Sequence, residues 1–321
     1  MPQKVKRKYL KYLNLTFLDN YLSFSPRKQK INTIMFQINI GQLIQEKLGK
    51  SLPRFLVKLL EKLIHQDELN QFLATDGNNK VGLDFVNASL KFLDIKTKII
   101  GEENLNINDG TKLCFVSNHP LGGIDGLTLL KVIGERYDGN IKVILNSFLS
   151  ALPGLKPFSV PVNVAGGTSK GILDTVNTVF ESDNQILMFP AQLCSRKQHG
   201  IIKDLPWKKG FVQKSIEFNR TVVPIYFHGF NSRAFYNFAK FSNFLSKLFK
   251  APGLTKLPMA FLPHEMMKNR GKEFTIVVGT PISAYELKTL NKFESVKGIA
   301  ETIQLYVYHE LKPMLDPYKS L

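Results

Sequence analysis

At 321 residues, 44% of them hydrophobic and 21% charged, the chain has ordinary globular composition, which argues against global disorder. Its 43 Lys+Arg against 26 Asp+Glu leave a net charge of +17, a field that favours an anionic partner: nucleic acid, an acidic membrane surface, or a phosphorylated or acyl-carrier substrate. The two cysteines, Cys114 and Cys194, lie far apart; they exclude a disulfide framework and zinc spacing and fit a reducing compartment.

The basic start MPQKVKRKYLKYL is followed by no continuous apolar segment and no small-residue cleavage site, so a secretory signal is not expected. No run of 18 apolar residues occurs, so contact with a membrane is expected to be peripheral. Residues 1–30, with Pro26, read as a basic N-terminal arm. Residues 31–100 read as a helical region: Leu56, Leu59, Leu60, Leu63 and Ile64 share one helix face, as do Leu83, Val86, Leu90 and Leu93. The Asp-Gly-Asn-Asn run at 76–79 is a turn.

From residue 101 to 321 the texture is that of an α/β domain. Buried strands are predicted over 112–117, 141–145, 185–189, 221–227 and 274–278, and helices over 126–137, 169–181, 208–219, 232–250 and 294–311. The expected fold class is therefore α/β, a largely parallel or mixed sheet flanked by helices, with an N-terminal helical layer. Pro224 inside its run predicts an edge strand or a bulge.

Two segments carry candidate chemistry. The first, Asn118-His119-Pro120-Leu121-Gly122-Gly123-Ile124-Asp125-Gly126, follows a predicted strand and precedes a predicted helix, the place where α/β sheets build active sites. His119 is suited to accept a proton near neutral pH, and a carboxylate on its other ring nitrogen fixes the tautomer. Gly122 and Gly123 allow a tight turn that returns Asp125 to His119, and they let a ligand approach the backbone amides. An equally good reading from spacing alone has Asp125 capping the helix beside an ordinary loop histidine. The second segment is Phe189-Pro190-Ala191-Gln192-Leu193-Cys194-Ser195-Arg196-Lys197, followed by Lys203 and by Trp207-Lys208-Lys209-Gly210-Phe211. Arg196 offers a fork for phosphate or carboxylate, and a helix N-terminus near Lys208 and Lys209 adds amide donors. The alternative is a solvated basic loop. Cys194 reads as a small buried filler, with a reactive thiol as the alternative.

Together these segments resemble the glycerolipid acyltransferase superfamily, whose members acylate lysophosphatidic acid and related lysolipids. Asn118-His119…Asp125 is similar to the first motif of that family, Phe189-Pro190…Ser195-Arg196 to its third and Val223-Pro224-Ile225 to its fourth, over roughly residues 100–285. Five residues rather than four separate His119 from Asp125; Ala191-Gln192 replace Glu-Gly; Asn163 stands where the second motif has Arg. With Gly101-Glu102-Glu103-Asn104-Leu105 and His228-Gly229-Phe230-Asn231-Ser232, this resembles a divergent bacterial branch, sometimes called hemolysin-like, that includes O-acyltransferases of ornithine and glycine lipids. The resemblance implies His119 as base, oriented by Asp125. It implies substrate contacts from Asn118, Gly122, Gly123, Ser195, Arg196, Lys208 and Lys209. It also implies an acyl-carrier protein or acyl-CoA thioester as co-substrate, a lysolipid acceptor, no metal and no cofactor.

Residues 233–250 place Phe235, Phe238, Phe241, Leu245, Leu248 and Phe249 on one broad helical face, opposite Arg233, Lys240 and Lys247. Such a helix either lies in a membrane interface or packs its apolar face on the sheet. An anionic membrane surface, on the cytoplasmic face of the inner membrane, is the expected setting. Nucleic acid is not an expected partner, for zinc spacings, basic heptad helices and RNP signatures are lacking. A serine hydrolase is disfavoured by the want of a Gly-x-Ser-x-Gly elbow. A catalytically inactive lipid-binding relative remains an alternative.

Overall fold

The computed structural model describes residues 37–48, 53–107, 110–144, 152–160, 169–250 and 252–315. All of these lie in one compact unit, Phe36–Leu321. The expected basic arm, residues 1–30, and Asn163 fall outside the described residues.

In chain order the elements are α1 (Ile40–Leu48), α2 (Arg54–Leu63), α3 (Gln66–Ala74), α4 (Leu83–Phe92), β1 (Lys96–Ile100), β2 (Leu113–Ser117), α5 (Ile124–Arg136), β3 (Ile141–Val143), α6 (Ser169–Glu181), β4 (Gln185–Met188), β5 (Arg196–Gln198), β6 (Ile201–Lys203), α7 (Gly210–Glu217), β7 (Thr221–Phe227), α8 (Arg233–Leu248), α9 (Leu262–Lys268), β8 (Glu273–Val278), α10 (Ala284–Leu290) and α11 (Val296–Tyr306). The apolar, β-branched runs form a six-stranded sheet in the order β1-β8-β7-β2-β4-β3. All pairings in it are parallel except β7 with β8, so the sheet is mixed. One hydrophobic cluster joins a sheet face to α4 and α5 through Phe85, Val86, Leu90, Phe115, Leu129 and Ile133. A second, around Cys114, Trp207, Phe211, Ile299 and Ile303, joins the other face to α7 and α11. Val86 and Leu90 of α4 and Leu93 just after it are buried as the spacing predicts, and Leu83 is half-buried, whereas Leu59 of α2 is exposed.

Of the two readings of Pro224, the structure shows the bulge: β7 is not an edge strand and lies between β8 and β2. Its proline is tolerated because the partner bulges: Val222 faces Ile282 while Ile225 faces Val278, so Val223 and Pro224 oppose three residues, 279–281. The Pro224 carbonyl still accepts from Gly279 N–H (2.8 Å), and only the missing proline donor drops out of the ladder. The stretch after Pro190 is not one basic loop either. β5 and β6 pair as an antiparallel hairpin across His199 and Gly200, both with positive φ, the turn type that suits hairpin twist.

Candidate active site

β2, β4 and β7 run parallel, so the residues that follow them, 118–123, 189–195 and 228–232, leave the same edge of the sheet. Asn118 ties two of these exits together. Its side-chain amide donates to Phe227 O (2.9 Å) while its oxygen accepts from Phe227 N–H (2.6 Å), extending the β2–β7 pairing by one rung. That amide is buried and committed to the sheet, so the substrate contact anticipated for Asn118 gives way to a scaffolding role.

The next residue, His119, stacks its ring on Phe189 with centroids 4.1 Å apart. Its Nδ1–H donates to Asp125 Oδ2 at 3.0 Å. Because the carboxylate can only accept, the proton sits on Nδ1 and the Nε2 lone pair is left for a ligand. Asp125 lies in the first turn of α5, whose N-cap is Gly123, so the helix-capping alternative is set aside. Its fully buried carboxylate also accepts from the N–H groups of Leu121 (2.9 Å), Gly122 (3.1 Å) and Gly126 (2.9 Å). Burial alone would raise its proton affinity, but the charge and hydrogen bond of His119 and the Leu121 and Gly122 amides outweigh this and hold it below the usual carboxylate value. Burial likewise disfavours the imidazolium of His119, and the Arg196 charge works in the same direction. Asp125 and a further carboxylate, Asp204, overcome both and raise its pKa.

Gly122 takes φ +79, and a Cβ there would overlap Cys194 Sγ and Leu262. Its N–H is directed at Asp125 rather than left for substrate. A Cβ on Gly123 would meet Met266. These glycines serve the return of Asp125 to His119, as the turn argument anticipates.

The third-motif residues converge on the same loop. Ser195 N–H donates to His119 O (2.8 Å), and its hydroxyl donates to Asp204 Oδ1 (2.6 Å). Arg196 is buried although Lys197 and Lys203 beside it are exposed, which removes the solvated-loop reading for Arg196. Its guanidinium donates to Cys194 O (2.7 Å) and lies over the Phe235 ring at 5.5 Å; among the described residues it has no carboxylate partner within salt-bridge distance. It lines a cavity of about 250 Å³ with Lys197, Tyr236, Lys240, Phe244 and Lys247. Lys208 and Lys209 stand exposed ahead of α7 and do not line this cavity. Cys194 is buried, its thiol pKa pushed up by burial, as a filler requires. No cluster of three or more His, Cys, Asp or Glu among the described residues has the arrangement to hold a metal ion.

Sequence reasoning missed Asp204, Trp207 and Tyr308. Asp204 accepts from Trp207 Nε1–H (3.0 Å), and its own N–H donates to the Tyr308 hydroxyl (2.9 Å). The one available signal was an acidic residue alone within the basic run from Lys203 to Lys209.

α8 also departs from its helical wheel. Phe235, Tyr236, Ala239, Ser242 and Ser246 face inward, while Phe241, Phe244 and Leu248, together with Phe249 beyond the helix, are 53–66% exposed beside exposed Lys240, Lys247 and Lys250. α8 packs on the 3-10 segment Pro252–Phe261, with Phe238 edge-on to Phe261 at 4.6 Å. Among the described residues no helix is long and apolar enough to cross a membrane.

Known proteins are similar to this chain over most of its length. An acyltransferase family model matches residues 43–316. A lyso-glycine lipid O-acyltransferase of Phocaeicola vulgatus is 45% identical over 278 residues, covering 85% of this chain and 95% of the relative. One from Bacteroides thetaiotaomicron is 42% identical, with 85% and 97% covered. Among solved structures, the 1-acyl-sn-glycerophosphate acyltransferase of Thermotoga maritima aligns over 86% of this chain and 89% of its own, at 13% identity and a TM-score of 0.44. A family model matching residues 43–316 and two relatives above 40% identity over 85% of the chain show that it belongs to the acyltransferase family.

Proposed function

We propose that this enzyme transfers a fatty acyl chain from an acyl-carrier protein or acyl-CoA thioester to the hydroxyl of a lyso-aminolipid, a lyso-glycine lipid above all. The observation that carries the reading is the His119–Asp125 pair with Nε2 open. His119 Nε2 takes the proton of the acceptor hydroxyl as its oxygen attacks the thioester carbonyl carbon. The C–O bond forms, the C–S bond breaks, and the imidazolium returns the proton to the leaving thiolate, giving an ester and a free thiol. Asp125 fixes the tautomer and stabilises the imidazolium. Arg196, buried with no acidic partner among the described residues, suits the acidic end of the acceptor. The two lyso-glycine lipid enzymes at 45% and 42% identity favour a carboxylate head group.

The test is incubation of purified protein with acyl-carrier protein and CoA thioesters and a panel of lyso-glycine lipid, lyso-ornithine lipid and lysophosphatidic acid, reading ester formed and thiol released. Lyso-glycine lipid is expected to react fastest. Transfer to lysophosphatidic acid alone would overturn the head group, and thiol release without ester would overturn transfer.

A second element of the reading is peripheral attachment to an anionic membrane, at the cytoplasmic face of the inner membrane where acyl thioesters are available. The exposed Phe and Lys side chains of α8 support it. Flotation with anionic vesicles should carry the protein upward, and equal recovery with neutral vesicles at any salt would contradict an electrostatic share.

A further inference from the structure

Of the buried charged groups that the acyl-transfer step leaves unused, Asp204 is the one bonded to the backbone of His119. Asp204 is buried directly after β6, and both of its oxygens face the backbone N–H of His119, at 3.2 and 3.3 Å. Oδ1 also takes the Ser195 hydroxyl and Oδ2 the Trp207 indole. Burying a carboxylate is costly unless donors surround it. Even with Ser195, Trp207 and the His119 amide opposing it, burial leaves the Asp204 pKa raised. A neutral side chain would fill this site at lower cost, so the carboxylate is there for its charge or for its acceptor geometry.

The segment that carries it is braced from the C-terminal helix. Tyr308 OH accepts Asp204 N–H, Gln304 Oε1 accepts Trp207 N–H (3.1 Å), and Gln304 Nε2 donates to Leu205 O (3.1 Å). Gln304 lies in the last turn of α11, and Tyr308 lies in the π turn Val307–Leu311 that continues it, a local widening that often marks functional sites. The Tyr308 ring packs edge-on against Tyr226 of β7 at 5.9 Å.

We propose that Asp204 is a positioning residue for the base, gripping the backbone of His119 and locking it to Ser195 and Trp207 while Asp125 holds the ring. The proposal rests on the reading of His119 as base. The charged groups that face the imidazole are Asp125 from α5, Asp204 after β6 and Arg196 from β5, with the Phe189 ring stacked beneath. Asp204 in turn faces Ser195, Trp207, Tyr226 and Tyr308. Asp204 and Asp125 both favour the imidazolium, and Arg196 opposes it.

The deciding measurement is an NMR titration of the His119 imidazole in the wild type and in Asp204→Asn, which needs no catalysis. Loss of the negative charge is expected to lower the His119 pKa; an unchanged value overturns the proposal. In the acyl-transfer assay, Asp204→Asn should lower kcat by about 10- to 100-fold with both KM values within about twofold. The acid limb should move to lower pH, since the neutral imidazole then persists further into acid. A rise in KM at constant kcat would make Asp204 a binding residue and refute positioning. A wild type that transfers no acyl group would sink the acyl-transfer reading alone, because the titration still decides on Asp204. Should Asp204→Asn not fold, Tyr308→Phe keeps the ring against Tyr226 and the carboxylate in place, and removes the hydroxyl that accepts the Asp204 amide and meets Ser195. It is expected to lower kcat several-fold with the acid limb unmoved. Wild-type kcat in that variant refutes the brace.

Discussion

The floor of the active site and the outer face of α8 invert each other. At the floor, Asp125, Asp204 and Arg196 are charged groups taken out of water, and the donors and acceptors around them make this tolerable. On α8 the apolar groups stay in solvent, Phe244 and Leu248 each 59% exposed, while Ser242 and Ser246 are buried beneath them. Each arrangement costs stability relative to the opposite assignment. At the floor the buried charges raise the pKa of one imidazole. On α8 the proposed attachment to a membrane would recover that cost. The Arg196 cavity lies between the two, lined by the third-motif arginine on one side and by Lys240, Phe244 and Lys247 of α8 on the other.

Substitutions at the floor should break the comparison most severely. His119→Ala is expected to lower turnover by about 100- to 10,000-fold without unfolding the protein, checked by acyl-transfer rates beside a thermal melt. Asp125→Asn should cost somewhat less, of order 100-fold, because it misorients the base rather than deleting it. Its pH signature is specific. Asp125 raises the His119 pKa through its charge and hydrogen bond; without them the imidazole stays neutral to lower pH, and the acid limb of the rate profile moves down. A limb that stays in place or moves up removes Asp125 as the partner of His119.

Much of this arrangement was legible in the sequence. A strand–Gly-rich turn–helix passage placed His119 and Asp125, and strongly apolar runs gave β2, β4, β7 and β8. What was not legible has physical causes. β1 is an edge strand in which Lys96 and Lys98 are exposed, so it lacks a buried run. β5 and β6, three residues each, are too short for a period-2 pattern to stand out. Asp204 acquires its meaning only when the chain returns it to the amide of His119, 85 residues away, and no local pattern encodes that. The wheel of α8 could not say which face is buried, because Ser242 and Ser246 lie inward while Phe241 and Leu248 of the apolar face stay exposed.

Between the two regions, Arg196→Lys should act on binding more than on turnover. A lysine keeps the charge but loses the planar fork and its reach past Cys194 O and the Phe235 ring. The acceptor KM is expected to rise about tenfold, one good charge-assisted hydrogen bond, with a smaller change for the thioester. Equal rises for both substrates would place Arg196 between them instead of at the acceptor head.

The smallest effect is expected on α8. Phe244→Ser leaves the buried face of the helix untouched, since Phe244 points outward, so the thermal melt should not fall. If the ring enters lipid, its loss costs part of the roughly 1.5–3 kcal/mol that burying a Phe is worth, and vesicle affinity should drop several-fold. Lys247→Gln removes one charge near the surface, worth about 1 kcal/mol at most. Its effect should vanish in high salt as the Debye length contracts, while that of Phe244→Ser should persist. The two variants therefore separate the apolar from the electrostatic share. Phe244 also lines the Arg196 cavity, so turnover on acceptor in detergent micelles and in vesicles should be compared for the same protein. A loss confined to vesicles assigns α8 to the membrane. An equal loss in both assigns Phe244 to the substrate cavity and leaves the outer face of the helix without a lipid role.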